Sequence, residues 1–154
     1  MFVVIRRVTK DDEKHFIEVY TSAYRGLEEY AYTGRRDVKW YFRWLLKRDP
    51  NGFYTYVVEK PVGFIACDCN WFSVFEGNDV AEIHEIVVHP NWQGRGIGTA
   101  LMKKALDYAR SRGKKIVELW VGVRNERAIR FYKNLGFREM GVVGRWLRMA
   151  LDLK

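Results

Sequence analysis

The sequence has little that would anchor it in a membrane, bind a metal ion or cross-link it. No apolar run approaches the roughly 18 to 20 residues that a membrane-spanning helix needs. The two cysteines, Cys67 and Cys69, are separated by one residue in a predicted strand, a spacing that rarely allows an unstrained disulfide. No second pair of cysteines or histidines stands at metal-ligand spacing. We therefore expect reduced thiols and no bound metal.

The beginning of the chain lacks the order of a secretory signal, because its apolar stretch precedes the charges and acidic residues follow at once. A cytoplasmic protein with no membrane partner is therefore expected. Linkers, internal repeats and low-complexity segments are also missing. At this length one domain can bury a real core, so residues 1–154 are expected to form a single domain.

Positive charge is what the chain has in excess, with 27 Lys and Arg against 19 Asp and Glu and a formal net charge of +8. Such an excess attracts polyanions, and both a polyphosphate-bearing cofactor and a nucleic acid belong to that class. A nucleic-acid-binding domain would cluster its basic residues on one face, together with stacking aromatics. Here the basic residues are spread along the chain and interleaved with acidic ones. Nucleic acid is therefore not the expected partner, and a basic nucleic-acid-binding domain is kept as an alternative.

Hydrophobic periodicity divides the chain into strands and helices in mixed order. The predicted strands cover residues 2–8, 53–59, 62–75, 80–88, 115–121, 137–140 and 144–153. The predicted helices cover residues 13–25 and 37–47, then run from residue 98 to a stop at Gly113, and from a cap at Asn125 to a stop at Gly136. This order indicates one mixed α/β domain around a central sheet.

A glycine-rich loop separates a predicted strand from the amphipathic helix that follows it. Glycines at 94, 96 and 98 allow positive φ angles and a close approach of a ligand to the backbone. Free N–H groups at a helix start form an anion site, and Arg95 adds a charge beside it. The loop lacks the third glycine of a dinucleotide-binding fingerprint, where Thr99 stands, and the Gly-Lys-Ser/Thr end of a Walker loop. A plain strand-to-helix turn is the alternative interpretation.

Two segments resemble the paired motifs of the GNAT acetyltransferase superfamily. The loop Gln93–Gly98 is similar to the acyl-CoA loop of that family, with its Gln/Arg-x-x-Gly-x-Gly/Ala pattern. Downstream, Asn125–Phe137 is similar to the family signature Asn-x-x-Ala-x-x-Phe-Tyr-x-x-x-Gly-Phe. The resemblance spans about Val80–Phe137. It implies an α/β, single-domain GNAT-like fold, in which a central mixed, mostly antiparallel sheet is flanked by about four helices.

The same resemblance implies an N-acetyltransferase that moves the acetyl group of acetyl-CoA directly to a primary amine of a small molecule, peptide or protein. The required partners are then acetyl-CoA and the amine acceptor, with CoA as a product and no metal. A non-catalytic acyl-CoA sensor with the same fold is an alternative, against which the intact Tyr132 argues. The identity of the acceptor and the formation of a homodimer stay open.

The resemblance also assigns the cofactor-binding residues. The loop N–H groups are expected to hold the cofactor pyrophosphate, and the end of the preceding strand is expected to hold the pantetheine arm. An N–H near the end of that strand is expected to polarise the thioester carbonyl. The expected cofactor-binding set is Ile86, Val87, Val88, Gln93, Gly94, Arg95, Gly96, Ile97, Gly98, Thr99, Asn125 and Tyr132.

Tyr132 matches the general acid of the family, which protonates the departing thiolate, and a phenol has a suitable pKa for that step. The alternative is a core tyrosine. For the general base, period-2 alternation predicts Glu82 and His84 on one face of their strand with Ile86 and Val88, and Glu85 on the other. Glu82 and His84 are therefore the expected catalytic partners of Tyr132, and Glu85 is the weaker candidate.

One position departs from a subfamily that the chain otherwise resembles. Ribosomal-protein-type N-terminal acetyltransferases commonly carry a glutamate on the strand before the second motif, where this sequence has Gly122. That difference puts the acetylation of protein α-amino groups in doubt. The first two helices and nearby loops are expected to build the acceptor pocket. Their aromatic side chains suit a cationic amine or an apolar side chain, and their arginines could hold a carboxylate. These residues are Tyr20, Tyr24, Tyr30, Tyr32, Arg35, Arg36, Trp40, Tyr41 and Trp44.

Overall fold

Seven strands and four α-helices are present in the computed structural model, which describes residues 2–154. The strands are β1 Val3–Arg7, β2 Phe53–Val58, β3 Lys60–Ser73, β4 Asn78–Val88, β5 Ile116–Gly122, β6 Arg138–Val143 and β7 Trp146–Asp152. The helices are α1 Glu13–Ala23, α2 Arg35–Arg48, α3 Ile97–Ser111 and α4 Glu126–Asn134. Every predicted element is found, with ends that shift by a few residues.

All seven strands belong to one sheet of order β1-β2-β3-β4-β5-β7-β6. Only the central pair, β4 and β5, is parallel, and the other neighbouring pairs of this sheet are antiparallel. A parallel pair needs a crossover connection, which α3 provides between β4 and β5. The expected mixed, mostly antiparallel sheet flanked by four helices is confirmed.

Helices cover both faces of the sheet, and each face has its own apolar core. On one face the buried stripe of α3 packs on β3, β4 and β5, with Leu101, Met102 and Ala105 fully buried. On the other face α1 and α2 pack an aromatic core in which Phe16 contacts Phe42 at a ring distance of 5.2 Å. Burying one such ring contributes roughly 1.5 to 3 kcal/mol. The sheet is therefore held rigidly from both sides.

The two central strands diverge, and this divergence makes room for a ligand. β4 and β5 pair only where residues 81–83 face residues 117–119. Within the described residues, no pairs join the strands beyond that point, from 84 to 88 on β4 and from 120 to 122 on β5. The sheet thus opens into a wedge between the carboxyl-terminal halves of its two central strands.

A β-bulge interrupts the alternation of side chains in β4. Glu85 lies opposite Ala66 on β3. The next β3 residue, Cys67, lies opposite Ile83, which leaves His84 as an extra residue between two pairs. A bulge of this kind shifts the period-2 pattern by one residue.

The expected division of β4 into faces is therefore wrong. Ile86 and Val88 pack on the core beneath α3. His84 and Glu85 instead contact the aromatic side chains of α2 on the other face. The two neighbours of Glu82, Ala81 and Ile83, pack in the core beneath α3, so the Glu82 side chain points to the opposite face. The four residues expected on one face therefore lie on two. Ile86 and Val88 face α3, whereas Glu82 and His84 face α2 together with Glu85.

Candidate active site

A cavity of about 760 Å³ fills the wedge between β4 and β5. Its walls come from both diverging strands, from the loop before α3, from α4 and from the end of α1. Except for Arg95, every expected cofactor-binding residue lines it: Ile86, Val87, Val88, Gln93, Gly94, Gly96, Ile97, Gly98, Thr99, Asn125 and Tyr132. One cavity thus joins residues of both sequence motifs.

The glycine loop has the geometry of an anion cradle. Gly94 and Gly96 have φ angles of +76° and +81°, which residues with a Cβ rarely adopt. A Cβ added at either position would meet nothing within 4 Å, so the space in front of the loop is free. Gly96 is the N-cap of α3, and the N–H groups of the first helical residues have no acceptor within the helix. These N–H groups and the helix dipole favour a phosphate.

Two polar residues of the loop make contacts that the sequence did not predict. The Gln93 side chain donates from Nε2 to the Val88 carbonyl at 3.0 Å and so ties the loop to the end of β4. The Arg95 guanidinium lies over the Trp92 ring at 4.7 Å and does not line the cavity. The cradle is therefore built from backbone groups, and the arginine charge lies beside it.

The edge of β4 that borders the wedge offers backbone groups to an extended ligand. The N–H of His89 donates to the Val62 carbonyl on the β3 side at 2.9 Å. Because backbone groups alternate along a strand, the N–H groups of Ile86 and Val88 point to the opposite edge, into the wedge. This is the edge that could bind a polar chain as an added strand.

Glu85 is a buried carboxyl in the wall of the cavity. It accepts hydrogen bonds from Tyr24 Oη at 2.6 Å and from Tyr41 Oη at 2.8 Å. Burial raises the pKa of Glu85 to about 7, and the two tyrosine hydroxyls and the Ile86 N–H act in the opposite direction. A carboxyl with this pKa can both accept and release a proton near neutral pH.

Tyr132 lines the same cavity from α4 and is 8% exposed. Burial, and then the charge of Glu85, raise the pKa of its phenol, so the hydroxyl keeps its proton at neutral pH. Asn125 starts α4 by accepting a bond from the Ala128 N–H at 3.4 Å, and it lines the cavity as well. The second motif therefore orients a proton donor toward the wedge.

Glu82 and His84, the expected catalytic partners, occupy different surroundings. Glu82 is buried and does not line the main cavity. His84 lines it, but its Nε2 lies 2.8 Å from Asp68 Oδ2 and its ring packs between Trp44 and Trp71. The carboxyl that does line the cavity is Glu85, because the bulge turns the strand.

The position of Gly122 is covered by an aromatic ring. A Cβ at Gly122 would lie 2.4 Å from the Tyr30 ring, so a side chain there would require the ring to move. The Tyr30 hydroxyl accepts from the Arg124 N–H at 3.0 Å, and its ring packs on Trp146 at 5.4 Å. Where a glutamate is common in the ribosomal-protein-type enzymes, this chain thus presents a tyrosine ring.

Other cavity residues had weak signals in the sequence. Of the aromatic and arginine side chains expected near the acceptor, only Tyr24 and Tyr30 line this cavity. Trp120 and Trp146 also line it, from β5 and β7. In the sequence, β5 and β7 have the pattern of ordinary core strands. Only the structure, in which β5 no longer pairs with β4 beyond residue 119, shows that they border a cavity.

Within residues 2–154, no helix is long and apolar enough to cross a membrane. The same residues contain no group of three or more His, Cys, Asp or Glu side chains that could hold a metal ion. Cys67 and Cys69 are free and buried, as expected.

Residues 14–137 match the model of the Acetyltransferase (GNAT) family. The chain belongs to that family. This GNAT chain is 60% identical over 147 residues to an uncharacterized N-acetyltransferase of Methanocaldococcus jannaschii. That alignment covers 95% of the chain and 65% of the relative, so the chain spans less than two thirds of the length of that relative. The family resemblance drawn from the two motifs is confirmed.

Solved structures agree with this GNAT fold. The crystal structure of PH1933 from Pyrococcus horikoshii OT3 is 39% identical, with a TM-score of 0.90 and 99% coverage of both chains. The structure of yncA from Salmonella typhimurium, solved with its cofactor acetyl-CoA, is 25% identical with a TM-score of 0.75. That comparison covers 99% of this chain and 94% of yncA.

Proposed function

We propose that this chain is an acetyl-CoA-dependent N-acetyltransferase that moves the acetyl group directly to a primary amine, with residues 1–154 acting as one domain. One observation carries the proposal. A single cavity in the β4–β5 wedge joins a glycine cradle for phosphate to a buried carboxyl and a buried phenol. The acetyl-CoA found in yncA, which shares this fold, supports the same ligand here.

The residues of the wedge fit the chemical groups of acetyl-CoA. The free space in front of Gly94 and Gly96 suits a pyrophosphate, and the backbone edge at Ile86 and Val88 suits the amides of the pantetheine arm. When bound, acetyl-CoA supplies a thioester, so that a C–N bond forms, a C–S bond breaks, one proton leaves the nitrogen and one proton reaches the sulphur.

Glu85 is proposed as the group that takes the proton from the amine. It lines the cavity, and its pKa of about 7 leaves a large fraction ionised at neutral pH. Glu82 does not line the main cavity, and burial, followed by the neighbouring Glu118 carboxyl, raises its pKa to about 11. A carboxyl that keeps its proton at neutral pH cannot act as a base, so Glu85 is preferred over Glu82.

Tyr132 is proposed as the group that gives a proton to the departing sulphur. Its hydroxyl is protonated at neutral pH, and it lies near enough to Glu85 for that charge to raise its pKa further. A carboxyl that accepts and a phenol that donates, both in one cavity, match the two proton transfers that the reaction needs. The backbone N–H of Val88 is the proposed partner of the thioester oxygen.

The experiment is a turnover assay with acetyl-CoA and a panel of primary amines: alkylamines, diamines, amino acids, aminoglycosides and peptides with a free amino terminus. Release of the CoA thiol that depends on both substrates, together with an acetylated amine detected by mass spectrometry, is the expected result. Binding of acetyl-CoA without turnover of any amine would instead favour the non-catalytic sensor. Failure to bind acetyl-CoA would overturn the proposal entirely.

A further inference from the structure

A second cavity of about 390 Å³ adjoins the first on the face of the sheet that carries α2. Ile83, His84, Trp120 and Trp146 line both cavities, which therefore share a wall. The complete lining is Trp71, Glu82, Ile83, His84, Trp120, Val143 and Trp146. A molecule that reaches the main cavity with its reactive end could place its other end here.

Each of the three indole rings in this lining packs against a neighbouring aromatic ring. Trp71 packs against His84 at 4.8 Å, and Trp120 packs against Phe75 at 5.2 Å. Trp146 packs against the Tyr30 ring at 5.4 Å. Aromatic faces attract cations, most strongly where water is excluded, and tryptophan attracts them best.

Among residues 2–154, one oxygen of a buried carboxyl in the same lining has no hydrogen-bond partner. Glu82 is 3% exposed, and its Oε1 is fully buried and has no hydrogen-bond partner among the described residues. A buried polar atom without a partner costs about 1 to 3 kcal/mol. A donor that entered this cavity would remove that cost, and a cationic donor would also be attracted by the indole rings.

The surroundings of Glu82 carry more negative than positive charge. Arg148 Nη1 donates at 2.8 Å to both Glu118 and Glu76. Arg48 donates from Nε to Asp68 at 2.7 Å. Even with a proton on Glu82, these three carboxylates share only two guanidinium groups and the ring of His84, whose Nε2 lies 2.8 Å from Asp68 Oδ2. A carboxylate on the ligand would be repelled, and an apolar group would leave the Glu82 oxygen unpaired.

We propose that this second cavity binds a second cationic group of the acceptor, and that the acceptor is therefore a diamine or polyamine. This inference rests on the proposed acetyl transfer and narrows its substrate class. One amino group lies in the wedge near Glu85, and the other lies among the indole rings beside Glu82. The acceptor is held at both ends, which fixes the reacting nitrogen in place.

The test compares diaminobutane with butylamine, two acceptors of equal chain length that differ by one amino group. The wild-type kcat/KM should favour the diamine by about tenfold or more, since one desolvated cation contact contributes that much. Glu82→Met keeps the length of the side chain but removes both carboxyl oxygens, so nothing is left there to accept from the ligand, and it should lower this ratio about tenfold. Glu18→Met makes the same change on the exposed surface of α1 and should keep the ratio.

A second variant reaches the cavity from its exposed rim. Val143 is 53% exposed on β6, so that substitution there leaves the core intact. Val143→Lys places an ammonium group at the cavity and should lower the ratio, whereas Val143→Met, of similar length but uncharged, should keep it. Equal use of both amines by the wild-type protein, or an unchanged ratio in both Glu82→Met and Val143→Lys, would overturn the inference.

A measurement of diamine binding tests this inference independently of the proposed function. Calorimetry of diaminobutane with the CoA-bound protein requires no turnover, and Glu82→Met should bind the diamine about tenfold more weakly. Diamine binding that depends on Glu82, without turnover of any amine, would keep the subsite and overturn the proposed function. Turnover of monoamines with no preference for diamines would keep the proposed function and overturn the subsite.

Discussion

Glu85 and Tyr132 lie in the same buried environment, and we propose opposite roles in proton transfer for them. Burial raises the pKa of both groups. For the carboxyl, the hydroxyls of Tyr24 and Tyr41 counteract burial, and the resulting pKa of about 7 lets Glu85 exchange a proton near neutral pH. For the phenol, the nearby Glu85 charge acts in the same direction as burial and keeps Tyr132 protonated. Near neutral pH, Glu85 can therefore accept a proton while Tyr132 still has one to donate.

Tyr132→Phe keeps the ring and its packing on Phe137, and it removes only the hydroxyl. We expect kcat to fall roughly ten- to a thousandfold, the usual contribution of a general acid, while acetyl-CoA affinity stays within about a few-fold. Tyr54→Phe is the matched control, because Tyr54 is buried in the same core but does not line the cavity. Steady-state kinetics and calorimetry on both variants check this. A near-normal kcat in Tyr132→Phe, with chemistry shown to be rate-limiting, would remove Tyr132 from the mechanism.

The glycine loop and the helix that follows it could be predicted from the sequence because their signals are local. Three glycines at alternate positions and an apolar stripe on α3 indicate a tight loop followed by a helix. The bulge at His84 depends instead on the pairing of β4 with β3, which alternating residues along one strand do not reveal. For that reason the sequence predicted the elements and most residues that line the main cavity, but it misjudged which acidic residue of β4 would line that cavity.

The two glycines that flank α3 offer a matched test of the cradle. Gly96 has φ +81° before the helix and Gly113 has φ +72° after it, and a Cβ at either would meet nothing within 4 Å. A valine at either position should therefore cost about 1 to 3 kcal/mol of stability through backbone strain. Only Gly96→Val should also weaken CoA binding, by about tenfold or more, because only Gly96 lines the cavity. Calorimetry with CoA on both folded variants decides this, and equal affinities would argue against a backbone cradle at this loop.

At the scale of the whole molecule, the buried carboxyls of β4 make the stability of the fold depend on pH. Glu82 and Glu85 have folded pKa values above the ordinary 4.5, so the folded chain binds more protons than the unfolded chain above that pH. Asp12 and Asp68, which accept bonds from Arg6 and Arg48, have lowered pKa values and stabilise the fold above their ordinary pKa. These opposing contributions place the greatest stability on the acidic side of neutrality.

The ionisation of Glu85 should therefore appear in both stability and rate. Between its ordinary pKa of 4.5 and its folded pKa of about 7, the unfolded chain loses a proton that the folded chain keeps. The Glu85 contribution to the free energy of unfolding should fall by about 3 kcal/mol across that interval and then level off, whereas the Glu82 contribution continues to fall at higher pH. In the same interval kcat/KM should rise with pH, because the base becomes available only as its proton leaves. On the proposed mechanism, activity at neutral pH would therefore depend on the same ionisation that destabilises the fold.

Glu85→Gln removes this titration and leaves the other buried carboxyls in place. Urea unfolding at several pH values should show that the variant lacks about 3 kcal/mol of the decline seen in the wild-type protein. Its kcat/KM should be low and should lose the rise near pH 7. Glu18→Gln, whose carboxylate is exposed on α1, should match the wild type in both measurements. Parallel stability curves for wild type and Glu85→Gln would mean that Glu85 ionises alike in both states, and the buried base would have to be sought elsewhere in the wedge.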